Sequence, residues 1–141
     1  MKWKILVLSL SVFIFSSLHA VAGDDIAKSI KAVVDKNIQA TQDEELYAMM
    51  STIHTQSPAY LTTKQQMPLI FENFDLRYQI VSYTFIGFNA PYAIARVRQR
   101  TTKTSGAAFK NNVMDMIQVF RKERGAWKYW NQMMLDIQPA G

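Results

Sequence analysis

Apolar residues recur at helical spacing through the first half of the chain and at alternating spacing through the second. Ile26, Ile30, Val33, Val34 and Ile38 share one helical face, with Asp24 and Asp25 ahead of them as N-terminal carboxylates. Thr41-Gln-Asp-Glu44 has the capping-box pattern, and Leu46, Met50 and Ile53 then predict a second helix that Ser57-Pro58 ends. Thr63-Lys-Gln-Gln66 is placed to cap a third helix with the stripe Met67, Ile70, Phe71 and Phe74. Pro68 requires that helix to begin later or to kink, because a proline beyond the first turn removes a hydrogen bond and clashes. From Leu76 onward, β-branched and aromatic residues predict strands at about 76–88, 92–104, 111–122 and 126–137. The turns at Asn89-Ala-Pro91, Ser105-Gly106 and Glu123-Arg-Gly125 are too short for crossover helices, so the strands should form an antiparallel meander. Helices followed by a four-stranded antiparallel sheet describe an α+β roll.

The chain opens differently. Met1-Lys-Trp-Lys4 is basic, Ile5 to Leu18 is 14 residues without a charge, and Ala20-Val21-Ala22 supplies a small-x-small pattern. These features predict a cleaved signal peptide over residues 1–22, a single domain over 23–141, and a periplasmic or secreted location. An uncleaved anchor, the one expected route to a membrane, is disfavoured because a span needs about 20 apolar residues.

Composition narrows the chemistry. Of 141 residues 49% are hydrophobic and 19% charged, which excludes a disordered or fibrous chain. Cysteine is absent, so disulfides, thiolate metal sites and cysteine nucleophiles are excluded. His54 is the one histidine beyond the signal, and with no cysteine beside it no metal or cofactor is expected. Residues 23–75 carry eight acids against four lysines, whereas residues 76–141 carry ten bases against three acids. Front and back therefore attract one another, and no nucleic-acid signature accompanies the basic half.

Ile53-His-Thr-Gln-Ser-Pro-Ala-Tyr60, the Thr-rich helix start after it, and Val119-Phe-Arg-Lys-Glu-Arg-Gly-Ala-Trp-Lys128 resemble segments of the nuclear transport factor 2-like superfamily. That superfamily includes the SnoaL-like and ketosteroid isomerase-like proteins. The resemblance implies a cystatin-like cone in which a curved sheet wraps around the helices and often leaves a pocket. Its members include isomerases, dehydratases and non-catalytic binding or assembly modules, so it constrains fold more than function.

Strand pairing estimated from the turns sets Arg98 opposite Asp115, Arg96 opposite Ile117 and Arg100 opposite Val113. It also sets Phe120 opposite Trp127 and Gln118 opposite Tyr129. The helix-facing side then carries Ala93, Ala95, Val97, Met114, Phe120, Trp127 and Met133, with Tyr83, Gln99, Met116, Gln118, Tyr129 and Asn131 as candidate pocket residues. Methionines 49, 50, 67, 114, 116, 133 and 134 are either adaptable pocket lining or core filler. The opposite side carries Arg96, Arg98 and Arg100, with Asp115 as the natural partner of Arg98. Beside them Ile117, Val119, Trp130 and Met134 make a candidate homodimer face, an arrangement the resemblance also implies.

Isomerase-like members of the superfamily use acidic residues inside the cone, but no Asp or Glu reaches the pocket-facing positions of the last three strands on this pairing. His54, Tyr60 and Asp75 are the remaining catalytic candidates. The sequence thus points to an exported, non-catalytic module that binds a small apolar molecule or a partner. The alternatives are an isomerase- or hydrolase-type enzyme using His54 with Tyr and Asp groups, and a structural dimer in an envelope assembly.

Overall fold

The computed structural model describes residues 17–140. The basic start and most of the uncharged run read as an export signal lie outside the described residues. Among the described residues, no helix is long and apolar enough to cross a membrane.

Helix α1 spans Ser17–Gln42 and runs without a break through Ala20-Val21-Ala22. It buries Ile30 and Val34 completely, the face its spacing predicted. The expected capping box does not form. Thr41 is still inside α1, where its hydroxyl donates to the Asn37 carbonyl at 2.8 Å and cannot cap the next helix. The chain turns only at Glu44, with φ of 56°, and helix α2 is the single short segment Leu46–Met50.

Helix α3, Tyr60–Asn73, begins three residues before the expected cap and not after it. Ser57 accounts for the difference. Its Oγ accepts the Ala59 N–H at 3.1 Å, and its carbonyl accepts the Tyr60 N–H at 3.0 Å, which starts the helix upstream of Thr63. Pro68 lies inside the helix. The carbonyl it leaves without its helical donor belongs to Lys64, and both residues are exposed to solvent. Phe74, expected on the helical stripe, is instead the first residue of the sheet.

Strands β1 (Phe74–Asn89), β2 (Tyr92–Gly106), β3 (Asn112–Glu123) and β4 (Ala126–Pro139) form one antiparallel sheet in sequence order. Gly106 is required where β2 ends against the α3–β1 junction. Its φ is 93°, and a Cβ there would sit 2.6 Å from the Asn73 carbonyl oxygen. Helix α1 also covers part of the β1 edge. The Gln42 amide donates to the Leu76 carbonyl at 3.1 Å and accepts the Tyr78 N–H at 2.9 Å, as a neighbouring strand would.

The β2–β3 register is the expected one: Arg96 pairs with Ile117, Arg98 with Asp115 and Arg100 with Val113. The β3–β4 register is not. Arg124 and Gly125 both have positive φ, so they form a two-residue turn that pairs Phe120 with Tyr129 and Lys122 with Trp127. A bulge beyond Phe120 then pairs Gln118 with Gln132, Val119 with Asn131, Ile117 with Met133 and Met116 with Met134. One extra residue exchanges the two sides of a strand. Asn131 and Met133 therefore lie across from outer-face residues, and Met134 moves away from the outer face.

Two apolar clusters meet at Tyr129. The first joins Ile30 and Val34 to Ala93, Ala95, Val97, Phe120 and Trp127. The small side chains of Ala93 and Ala95, both fully buried, let α1 approach the sheet closely. The second joins Ala40, Met49, Met50 and Ile53, with Tyr60, Met67 and Phe71 packed around them. By contrast α3 buries no residue, and every residue of β4 from Asn131 to Pro139 is exposed.

Candidate functional site

Where α3 stands away from the sheet, a cavity of about 360 Å³ remains between the helices and the inner sheet face. Its floor is Gln99 of β2 and Met114, Met116 and Gln118 of β3, with Tyr78 of β1 and Tyr129 of β4 at the sides. The helices supply Asn37, Ile38 and Thr41 from α1, Met49 from α2, and Thr63, Met67 and Ile70 from α3. Among the described residues, no charged residue lines it.

Five of the six expected pocket residues, Gln99, Met116, Gln118, Tyr129 and Asn131, are in this lining. Tyr83 is not. It packs in the first apolar cluster, and its hydroxyl donates to the Ala27 carbonyl at 3.3 Å, nearer the start of α1. Asn131 reaches the cavity rim although it pairs with Val119, and its Oδ1 accepts the Gln132 N–H at 2.8 Å. The methionines divide cleanly. Met49, Met67, Met114 and Met116 line the cavity, Met50 is core, and Met133 and Met134 are exposed. Of the helical contributors, Asn37 carried no sequence signal beyond polarity, while Thr41 and Thr63 read as helix caps. The inward aim of Thr41 and Thr63 depends on helix ends that those capping patterns misplaced.

The phenols around the cavity are kept neutral. Burial pushes the Tyr129 hydroxyl far above its ordinary range, and burial followed by the charge of Glu44 raises Tyr78. The Tyr129 hydroxyl donates to Gln118 Oε1 at 3.3 Å, and Gln99 Nε2 donates to Thr101 Oγ1 at 3.3 Å. Such a site can bind and orient through neutral hydrogen bonds. Its lining offers no carboxylate or imidazole to accept a proton.

The three catalytic candidates are not brought together. His54 is 5% exposed and lies outside the cavity lining, beside the turn end of the β3–β4 hairpin. Its Nδ1 accepts the Gln56 N–H at 3.1 Å, and its ring meets the Trp130 ring edge-on at 5.0 Å. Tyr60 packs on the second apolar cluster, and Asp75 is exposed at the start of β1, where it accepts the Ser105 hydroxyl.

Glu123, a residue not singled out from the sequence, organises the surroundings of His54. Its Oε1 accepts both the hydroxyl and the backbone N–H of Thr55, and its Oε2 pairs with Lys128 Nζ at 2.9 Å. The Thr55 hydroxyl and then Lys128 hold its carboxyl down at about 2, against an ordinary 4.5. Over that interval the unfolded chain binds the proton more readily than the folded one. The stabilisation is therefore complete above pH 4.5 and is lost as pH falls towards 2. Urea midpoints measured across that range should fall steeply for the wild type and less so for Glu123→Gln. Parallel slopes would contradict the assignment.

On the outer face the arginine stripe is partly neutralised, by a diagonal pairing and not the expected one. Arg96, not Arg98, forks onto Asp115 through Nε at 2.9 Å and Nη2 at 2.6 Å. Ile117 and Val119 remain half-buried on this face. Trp130, expected on this face, is among the residues lining the cavity, edge-on to His54 and 4.9 Å from the Arg121 guanidinium.

An α+β cone with helices over a curved meander and a cavity between them is the nuclear transport factor 2-like, or cystatin-like, architecture. Within it, the chain belongs to the family described as "Anti-sigma-I factor RsgI9, C-terminal domain", which it matches over residues 32–139. No curated protein matches the chain. Among solved structures, an NTF2-like protein of unknown function from Pseudomonas putida KT2440 is 10% identical, with a TM-score of 0.66, 79% of this chain and 86% of that one being covered. A cystatin-like protein of unknown function from Nostoc punctiforme is also 10% identical, with a TM-score of 0.63 over 79% and 90% of the two chains. A ketosteroid isomerase-like protein from Erwinia carotovora atroseptica is 16% identical, with a TM-score of 0.58 over 78% and 96%. At these identities the likeness is one of fold.

Proposed function

We propose that this protein is an exported, non-catalytic binding module that holds an uncharged small molecule between its helices and its sheet. The observation that carries the reading is the cavity lining, which combines methionine and aliphatic surface with amides, hydroxyls and neutral phenols and contains no charge. Burying a charged ligand there would leave its charge without a partner, whereas a neutral one loses little on entry. The family's description as a domain of an anti-sigma-I factor supports a binding role in regulation. Export rests on the basic start, the uncharged run and the Ala20-Val21-Ala22 pattern. Fluorescence titration with a neutral dimethylaminonaphthalene ketone (prodan) tests the reading, with anionic anilinonaphthalene sulfonate as the comparison. Saturable binding of the neutral probe in preference to the anionic one is expected. Equal or reversed preference would contradict it.

Self-association through the outer face belongs to the same proposal. Ile94, Ile117 and Val119 present a half-buried apolar strip with arginines beside it. Met134 no longer contributes, and Trp130 is engaged within its own chain. Ile117→Asp should therefore shift sedimentation towards the monomer without altering the circular dichroism spectrum, whereas Trp130→Ala should affect folding more than association. A wild type that stays monomeric at high concentration would remove this part of the proposal.

A further inference from the structure

Two amides in the cavity floor have hydrogen-bonding capacity that no other described residue uses. Gln118 is 4% exposed and Gln99 is 8% exposed, so each is more than nine-tenths buried. The Gln118 Oε1 is taken by the Tyr129 hydroxyl, and its Nε2 group meets no acceptor among the described residues. The Gln99 Nε2 is turned to Thr101, and its Oε1 meets no donor among the described residues. Yet Asn112 Oδ1 is the only atom among the described side chains that is both sealed off and unpaired. The free ends of Gln99 and Gln118 therefore open into the cavity they line. A buried amide group that meets nothing is costly, and a ligand atom is the natural partner.

Register fixes how these two groups are spaced. Gln118 pairs with Ala95 and Gln99 pairs with Met114, with the Val97–Met116 pair between them. The two amides thus lie four residues apart along the sheet, about 13 Å at the rise of a strand. Between them the floor is apolar. We infer that the cavity, on the binding reading above, is selective for an elongated neutral molecule with a polar group at each end. One end bears a carbonyl-type oxygen that accepts from Gln118 Nε2. The other bears an N–H or O–H that donates to Gln99 Oε1, and the body between rests on Met114 and Met116. Gln118 and Gln99 are then the specificity-determining residues of the site. Neutral Tyr129 fixes the Gln118 amide so that its N–H groups point at the ligand.

Two matched probe pairs test this. The naphthalene ketone should bind the wild type about tenfold more tightly than its carbonyl-free parent, dimethylaminonaphthalene, and Gln118→Met should abolish that preference by weakening the ketone alone. Replacing the dimethylamino group of the ketone by a primary amine adds a donor. That analogue should gain affinity with the wild type and not with Gln99→Met. NMR of the wild type provides a readout that does not depend on a variant folding: the Gln118 side-chain NH₂ signals should shift with the ketone and not with the parent. A ketone preference that persists in folded Gln118→Met, or NH₂ signals indifferent to the carbonyl, would overturn the specificity while leaving cavity binding in place. Failure of every naphthalene to bind the wild type would overturn the binding reading as well.

Discussion

Met116→Asp is expected to abolish binding of the neutral naphthalene ketone at neutral pH, with affinity reduced at least 100-fold. Met116 is 3% exposed at the centre of the cavity floor, and no cationic side chain lines the space around it. A bound neutral ligand would strip water from a carboxylate there and offer it no counter-ion, so desolvation opposes the charge and raises the pKa. The direction of that shift gives the prediction a second arm. Acidification protonates the introduced group and should restore part of the affinity at around pH 5. The stabilisation that Glu123 supplies is still complete at that pH, because its carboxyl is held down at about 2. Fluorescence titration at both pH values, with thermal melts to verify folding, checks the outcome. Unchanged binding by folded Met116→Asp would remove the cavity from the account.

Phe120→Ala should have the largest effect on stability. Phe120 is fully buried, packs 4.7 Å from the Tyr129 ring and belongs to the cluster beneath α1. Truncating a buried phenylalanine costs about 3–5 kcal/mol, a large share of the roughly 5–15 kcal/mol by which domains are stable. The melting temperature should fall by roughly 15 °C or more. Met133→Ala is the matched control, since Met133 is 58% exposed on distal β4 and its loss should move the melt little. Comparable losses in the two variants would contradict the division between a packed inner face and an open distal strand.

What the sequence conveyed depended on how local each signal was. Alternation and short turns placed all four strands, and the Ser105-Gly106 turn placed the arginines opposite Ile117, Asp115 and Val113. Helical spacing gave the buried face of α1. The helix ends were harder to read because a hydroxyl can serve either of two backbones. Thr41 bonds back into α1, and Ser57, not Thr63, starts α3. The β4 faces were illegible for a different reason. A bulge depends on packing around Trp130 and leaves no mark on an alternating pattern, yet it exchanges Met133 and Met134 between faces. Gln99, Met116 and Gln118 are unaffected because they lie on other strands, and Tyr129 because it lies on the turn side of the bulge. Tyr83 was misplaced because sharing the inner face does not by itself set depth along the cone.

The central claim, that the space between helices and sheet is the binding site, is tested most directly by NMR of methyl-labelled methionines during titration with the naphthalene ketone. Met49, Met67, Met114 and Met116 line the cavity, whereas Met133 is exposed outside it. The account predicts saturable shifts at the four cavity methyls, with Met133 unmoved. Shifts confined to Met133 and Met134 would place the ligand on the open strand and contradict it.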